Sequence, residues 1–224
     1  MFKLIPIIFI FFSQTILAQS GESQCGDLKN GYGPYDYRTS KGPILSIVEG
    51  AHFTSQVEML IKGNAGYIGG DLDYTLRAFP NHHRALMAAM RYGEKTKSEK
   101  PLSMQYSIQC YFDRAIRWRP DDAISRMMYS MYLAKKGQSS EAIQQLDIAA
   151  IGENGKENPF THYNLGLNYF DLKEYEKASA EAHKAYDLGF PQTALKDKLK
   201  GIGQWIEPQA ELPNISTTNP IPSN

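Results

Sequence analysis

From residue 49 to residue 205 apolar side chains return every third or fourth position and never alternate strictly with polar ones, so this stretch reads as helices, not strands. Ile108, Phe112 and Ala115 make one such stripe, and Ala142, Leu146 and Ala149 make another. Leu195, Leu199 and Ile202 stripe the last helix, while Lys196, Asp197, Lys198 and Lys200 fall mostly elsewhere. Pro80, Pro120 and Pro191 close successive units. Gly63 and Gly137 stand at turns, where a left-handed backbone costs glycine least. The pattern predicts helices over 53–62, 81–93, 103–118 and 193–205, with Ile68, Leu72 and Thr75 on a further one. Residues 19–48 are rich in Gly, Pro and Tyr and read as an irregular arm. Residues 206–224 hold four prolines among Ser, Thr and Asn and read as a disordered tail.

The beginning of the chain has another character. Lys3 precedes an almost unbroken apolar run over 4–12, and Ala18 supplies a small residue at the expected cleavage point, so 1–18 reads as a signal peptide. The run is shorter than the roughly 20 residues that span a bilayer. The mature chain is therefore expected to carry no transmembrane anchor. An exported product with a single short signal and few cysteines points to a bacterial periplasm.

Within the helical body one unit stands out. Asn164-Leu165-Gly166, then Tyr169, Ala178 and Ala185, with Pro191 at the close, resembles the tetratricopeptide repeat and its W-x2-L-G-x2-Y opening. His162 and Ala182 stand where that family has large side chains. The preceding unit carries the pattern through Tyr129, Ser130, Leu133, Ala142, Leu146 and Ala149, and Ala115 lies 34 residues before Ala149, one repeat length. The resemblance implies an all-α, right-handed solenoid of about four helical hairpins, over 49–81, 82–122, 123–158 and 159–192, capped by 193–205. One hairpin cannot bury its own apolar face, so several must stack.

The resemblance also implies a non-catalytic adaptor or scaffold, without cofactor, that holds a protein or peptide partner in a concave groove lined by first helices. The groove positions are Leu86 and Met90, then Met127 and Met131, then Phe160, Tyr163, Leu167 and Phe170. The Lys, Arg and Asn set with which some members hold a carboxylate end is missing. The strip is apolar, with pliable Met and flat aromatics that suit a partner segment. Two other occupants stay open: the arm itself, through Ile44, Leu45, Ile47 and Val48, or the solenoid's own core.

Charge narrows the partners. Lys+Arg and Asp+Glu both total 24, with no basic stripe of the kind nucleic acid requires. Arg114, Arg117 and Arg119 stand among Asp113, Asp121 and Asp122 and read as a salt-bridged surface, with anion binding as the alternative. His82 and His83, with Asp71 and Asp73 nearby, are the nearest thing to a metal set. Adjacent helical residues project about 100° apart and do not readily share an ion. No nucleophile elbow, H-E-x-x-H or phosphate loop is present. An enzyme built around His82, His83 and Cys110 is one alternative. A carbohydrate or peptidoglycan binder using Tyr32, Tyr35 and Tyr37 is another. In an oxidising compartment Cys25 and Cys110 are candidates for a disulfide, against two unpaired thiols. Cys110 lies two positions from both Ile108 and Phe112, so it is expected to face outward from the hairpin seam.

Overall fold

Pro43 opens a helix instead of closing the arm, because a proline at the first helical position gives up only an N–H that would have no helical partner there. The computed structural model describes residues 24–64, 66–153, 158–205 and 207. Among these it is all-helical, with ten helices and no strand: α1 (Pro43–His52), α2 (Ser55–Glu58), α3 (Ile68–Ala78), α4 (His83–Thr96), α5 (Ile108–Trp118), α6 (Ala123–Lys135), α7 (Ser139–Glu153), α8 (Pro159–Asp171), α9 (Tyr175–Asp187) and α10 (Ala194–Gly201). The expected signal over 1–18 and the expected tail over 206–224 lie outside the described residues, Glu207 apart.

Three boundaries differ from the pattern-based ones. The helix expected over 53–62 does not form: Phe53 caps α1, α2 holds one turn, and Leu60 takes a φ of 57°, a left-handed conformation unsuited to a helix of L-residues. The arm accordingly ends at residue 42 and the helical body begins at Pro43, not residue 49. The helix expected over 103–118 starts at Ile108, where the Ser107 hydroxyl accepts from Cys110 N at 3.2 Å. Residues 97–107 form a long connection instead.

Two turns follow one design. Asp73 pairs with Arg77 at 2.8 Å, Pro80 follows, and His82 caps α4 by accepting from Ala85 N at 3.1 Å. Asp113 pairs with Arg117 at 2.7 Å, Pro120 follows, and Asp122 caps α6 by accepting from Ser125 N at 3.1 Å. The ion pairs hold the last turn of each helix and the caps start the next one.

Successive helices pack in pairs, α4 with α5, α6 with α7 and α8 with α9, while α4 also touches α6, and α6 touches α8. Because α6 lies between its neighbours it serves two cores. Its Met128, Tyr132 and Leu133 join Leu72, Leu76, Leu86, Ile108 and Phe112. Its Ala123 and Met127 join Leu146, Leu165, Tyr169, Ala182, Leu195 and Leu199. Gly166 makes room for α10: a Cβ there would stand 2.6 Å from Leu195 Cδ2. A third, small core sets Val48, Ala78 and Phe79 against Tyr32, Tyr35 and Tyr37 of the arm.

Candidate functional site

The second half of α6 is flanked by two clefts that share Lys135. The first, of about 260 Å³, lies towards α4 and α5 and is lined by Met90, Gly93, Ile108, Tyr132 and Lys136 among others. The second, of about 290 Å³, lies towards α8 and is lined by Ser130, Met131, Ala134, Asn168, Asp171 and Leu172. Ion pairs rim the first cleft, with Lys135 on Glu94 at 2.5 Å and Lys136 on Glu99. The Tyr132 hydroxyl donates to Glu99 at 2.5 Å, and burial together with that carboxylate pushes the phenol above its ordinary pKa. In the second cleft the Ser130 hydroxyl is buried and meets no hydrogen-bond partner. A buried hydroxyl left alone costs about 1–3 kcal/mol.

The eight expected groove residues do not form one open strip. Met90 and Met131 line the two clefts. Leu86 is fully buried in the first core, and Met127 and Tyr163 are buried in the second. Leu167 and Phe170 are half-buried against the second core. Phe160 alone is widely exposed, at 58%. The physical reason is twofold. Helices α4, α6 and α8 lie directly against one another, which buries what stands between them. At the far end Phe190 stacks on Tyr163 with centroids 4.2 Å apart, and Lys198 of α10 stands over the Phe170 ring at 5.3 Å.

Nor does the arm enter these clefts. It runs over α3 and α5, and the three arginines of the basic run bind it there. Arg114, almost wholly buried, donates to the Cys25 and Asp27 carbonyls at 3.0 and 2.6 Å and lies on the Tyr106 ring. Arg117 donates to the Gly26 carbonyl at 3.0 Å, and Arg119 to Asp36 at 2.6 Å. Cys25 and Cys110 stand at disulfide distance, with sulfurs 2.07 Å and Cα atoms 5.0 Å apart, on the outward face of α5 where the stripe places Cys110. The arm's role was legible only in Cys110 as a candidate partner of Cys25. The arginines read as a salt-bridged surface among Asp113, Asp121 and Asp122; of these pairs Arg117 with Asp113 forms, while all three arginines also bind the arm. Which arm atoms they reach was not legible, because two of the three bind backbone carbonyls.

Further along, the arm is fastened by a buried carboxylate. Asp36 accepts from Arg38, Asn81 at 2.8 Å and Arg119. Burial acts to raise its pKa, but the hydrogen bonds from Arg38, Asn81 and Arg119 outweigh it and hold the carboxyl well below the ordinary range. Asn81 also donates to Asp122 at 2.8 Å, and His83 bonds both Asp122 oxygens at 3.0 and 2.9 Å. Asp122 is likewise lowered, burial being outweighed chiefly by His83.

The alternative sites fare differently from one another. Cys110 sits in the sulfur pair and supplies no thiolate. His82 is enclosed by Tyr37, Phe53 and Phe79, bonds Glu49 at 3.1 Å, and has its pKa lowered by burial despite that carboxylate. Its Nδ1 accepts from Ala85 N, so the ring proton lies on Nε2. Among the described residues no group of three or more His, Cys, Asp or Glu is placed to hold a metal ion. Tyr35 packs on Phe79 and Tyr37 on His82, so these arm tyrosines anchor the arm inward rather than offering faces to a sugar. No helix among the described residues is long and apolar enough to cross a membrane. Compared with known protein families, with curated proteins and with solved structures, the chain matches none.

Proposed function

We propose that this is an exported, tetratricopeptide-like adaptor, non-catalytic and periplasmic, which holds a segment of a protein partner in the clefts beside α6. The helix pairs with neighbouring first helices, the Leu165-Gly166-Tyr169 pattern and the cysteine pair support the reading. The partner site is narrower than the strip implied by the repeat pattern. It comprises Met90 and Tyr132 on one side of Lys135, and Ser130, Met131 and Leu172 on the other. The carrying observation is the buried, unbonded Ser130 hydroxyl beside a cleft whose apolar patch of Met131, Ala134 and Leu172 is rimmed by Lys135, Asn168 and Asp171. Such a site suits an apolar side chain flanked by a backbone N–H or C=O, the alternation that an extended peptide offers.

The test is photo-crosslinking in the producing cell. A photoreactive residue in place of Met131 is expected to give one discrete adduct, lost when Ala134→Arg fills the cleft. The same residue in place of Ile148, on the exposed side of α7, is expected to give none. Equal labelling from both positions, or an adduct indifferent to Ala134→Arg, contradicts the reading.

A further inference from the structure

We infer that the two loops beside the start of α3 form a docking surface for an anionic lipid bilayer. Of the large apolar side chains left in solvent, Met59, Ile61, Tyr67 and Leu102 are 60%, 65%, 65% and 65% exposed, and all four stand in the connections 59–67 and 97–107. Each connection is fastened to a helix beside it, 97–107 to the start of α3 and 59–67 to the end of α4. The Leu102 carbonyl oxygen lies against Gly69, where a Cβ would stand 2.0 Å away. Lys95 Nζ donates to the Leu60 carbonyl at 2.8 Å.

The backbone takes left-handed conformations at three points in these connections, one of them the C-cap of α4. Non-glycine residues in the left-handed region are uncommon and cost roughly 1–2 kcal/mol each. Leu60, Lys97 and Ser103 adopt it, with φ of 57°, 51° and 64°. At Leu60 the consequence is direct: Leu60 is buried while its neighbours Met59 and Ile61 are turned outward. Ser103, itself exposed, takes the same conformation between the exposed Leu102 and the buried Met104.

Charge selects the occupant. Glu58, Glu94 and Glu99 are engaged by Arg84, Lys135 and Lys136. Lys62, Lys97 and Lys100 are exposed in the same loops, and among the described residues no carboxylate pairs with them. Apolar tips with a tyrosine, interspersed with lysines, match the acyl boundary and the phosphates of an anionic bilayer. Lys97 also lines the first cleft, but Met59, Ile61, Tyr67 and Leu102 line neither, so the inference extends beyond adaptor binding.

The experiment is vesicle co-sedimentation of the full chain on mixed phosphatidylglycerol–phosphatidylethanolamine and on phosphatidylcholine alone. It is paired with Leu102→Trp fluorescence quenched by brominated lipid, a local readout that other apolar segments cannot mimic. Quenching of Trp at 102 is expected, with none for Ile148→Trp. The pair Ile61→Asp and Leu102→Asp is expected to weaken partition about tenfold or more, and Lys62, Lys97 and Lys100 all changed to Gln by about a hundredfold on the anionic vesicles. These positions are exposed, so thermal melting checks that the variants keep their fold. The inference fails if Trp at 102 is not quenched, or if binding is equal on phosphatidylcholine. It also fails if Leu102→Asp instead abolishes a lipid-free dimer seen by sedimentation, which would give the surface to a second copy.

Discussion

From α6 to α10 the helices are held mainly by apolar contact, with Leu146, Leu165, Ala182, Leu195 and Leu199 fully buried, and with His162 and Glu181 paired in the interior at 2.7 Å. Ahead of α6 the same arrangement of helices is overlaid by a strap: the sulfur pair, three arginines, and a carboxylate buried against Asn81. The contrast follows from what each part has to pack. The later hairpins join α6 to α7 and α8 to α9 by short turns, and each pair runs side by side along its length. The earlier part has a one-turn α2, a long connection over 97–107 and a glycine-rich start to α3, so its helices run side by side over shorter lengths, although its core buries as many large apolar side chains. Covalent and ionic ties add to that packing.

The largest expected effect comes from cutting the strap. Closing a loop with a sequence separation of 85 is worth about 4 kcal/mol in the chain-entropy account, on a domain total of about 5–15. Changing Cys25 and Cys110 both to Ser is expected to lower the melting temperature strongly and to split the transition, with α3 to α5 lost first. A single transition at the parental temperature, seen by calorimetry, would remove the sulfur pair from the account.

Next is Asp36→Asn, which keeps the shape but leaves Arg119 without its carboxylate and Arg38 with Asp121 alone at hydrogen-bonding distance. Breaking a hydrogen-bonded, buried charge in this way costs about 2–3 kcal/mol. Protease sensitivity of the arm is expected to rise while α8 and α9 stay resistant. Cleavage at equal rates in both parts would contradict the division.

The C-terminal half was the legible half, for a reason visible in its residues. Leu165, Gly166, Tyr169, Ala178 and Ala185 alternate large and small side chains where two helices must touch, so burial and sequence say the same thing. In the earlier part they diverge. Residues 43–48 read as part of the irregular arm but belong to α1, and Leu60 reads as helical but lies in the left-handed region. Cys110's outward direction was readable from Ile108 and Phe112, as was its pairing with Cys25. The groove was misjudged at Leu86, Met127 and Tyr163, because spacing on one helix does not say how closely the next helix approaches. Ser130 could not be found from sequence at all, since an unbonded hydroxyl is a property of its surroundings.

A smaller effect distinguishes the halves by pH. His82 has a lowered pKa in the fold, so the unfolded chain takes the proton first, near its ordinary value of about 6.5. Its contribution is fully present above that value and declines as pH falls through the folded value. Asp36 and Asp122, also lowered, add a loss that begins near the ordinary carboxylate value of about 4. The early part is therefore expected to weaken modestly between neutrality and pH 5. His82→Asn, which preserves a capping side chain, is expected to flatten that slope. A slope unchanged by the substitution would assign it to another group.

The most direct measurement is native-state hydrogen exchange followed by mass spectrometry, with and without reductant. If the strap holds the early helices, reduction should lower amide protection in α3 and α5 by about a thousandfold, the equivalent of most of the loop-closure term. Protection in α8 and α9 should stay within a few fold of its oxidised value. Equal loss in both regions, or unchanged protection in α3 and α5, would contradict the account.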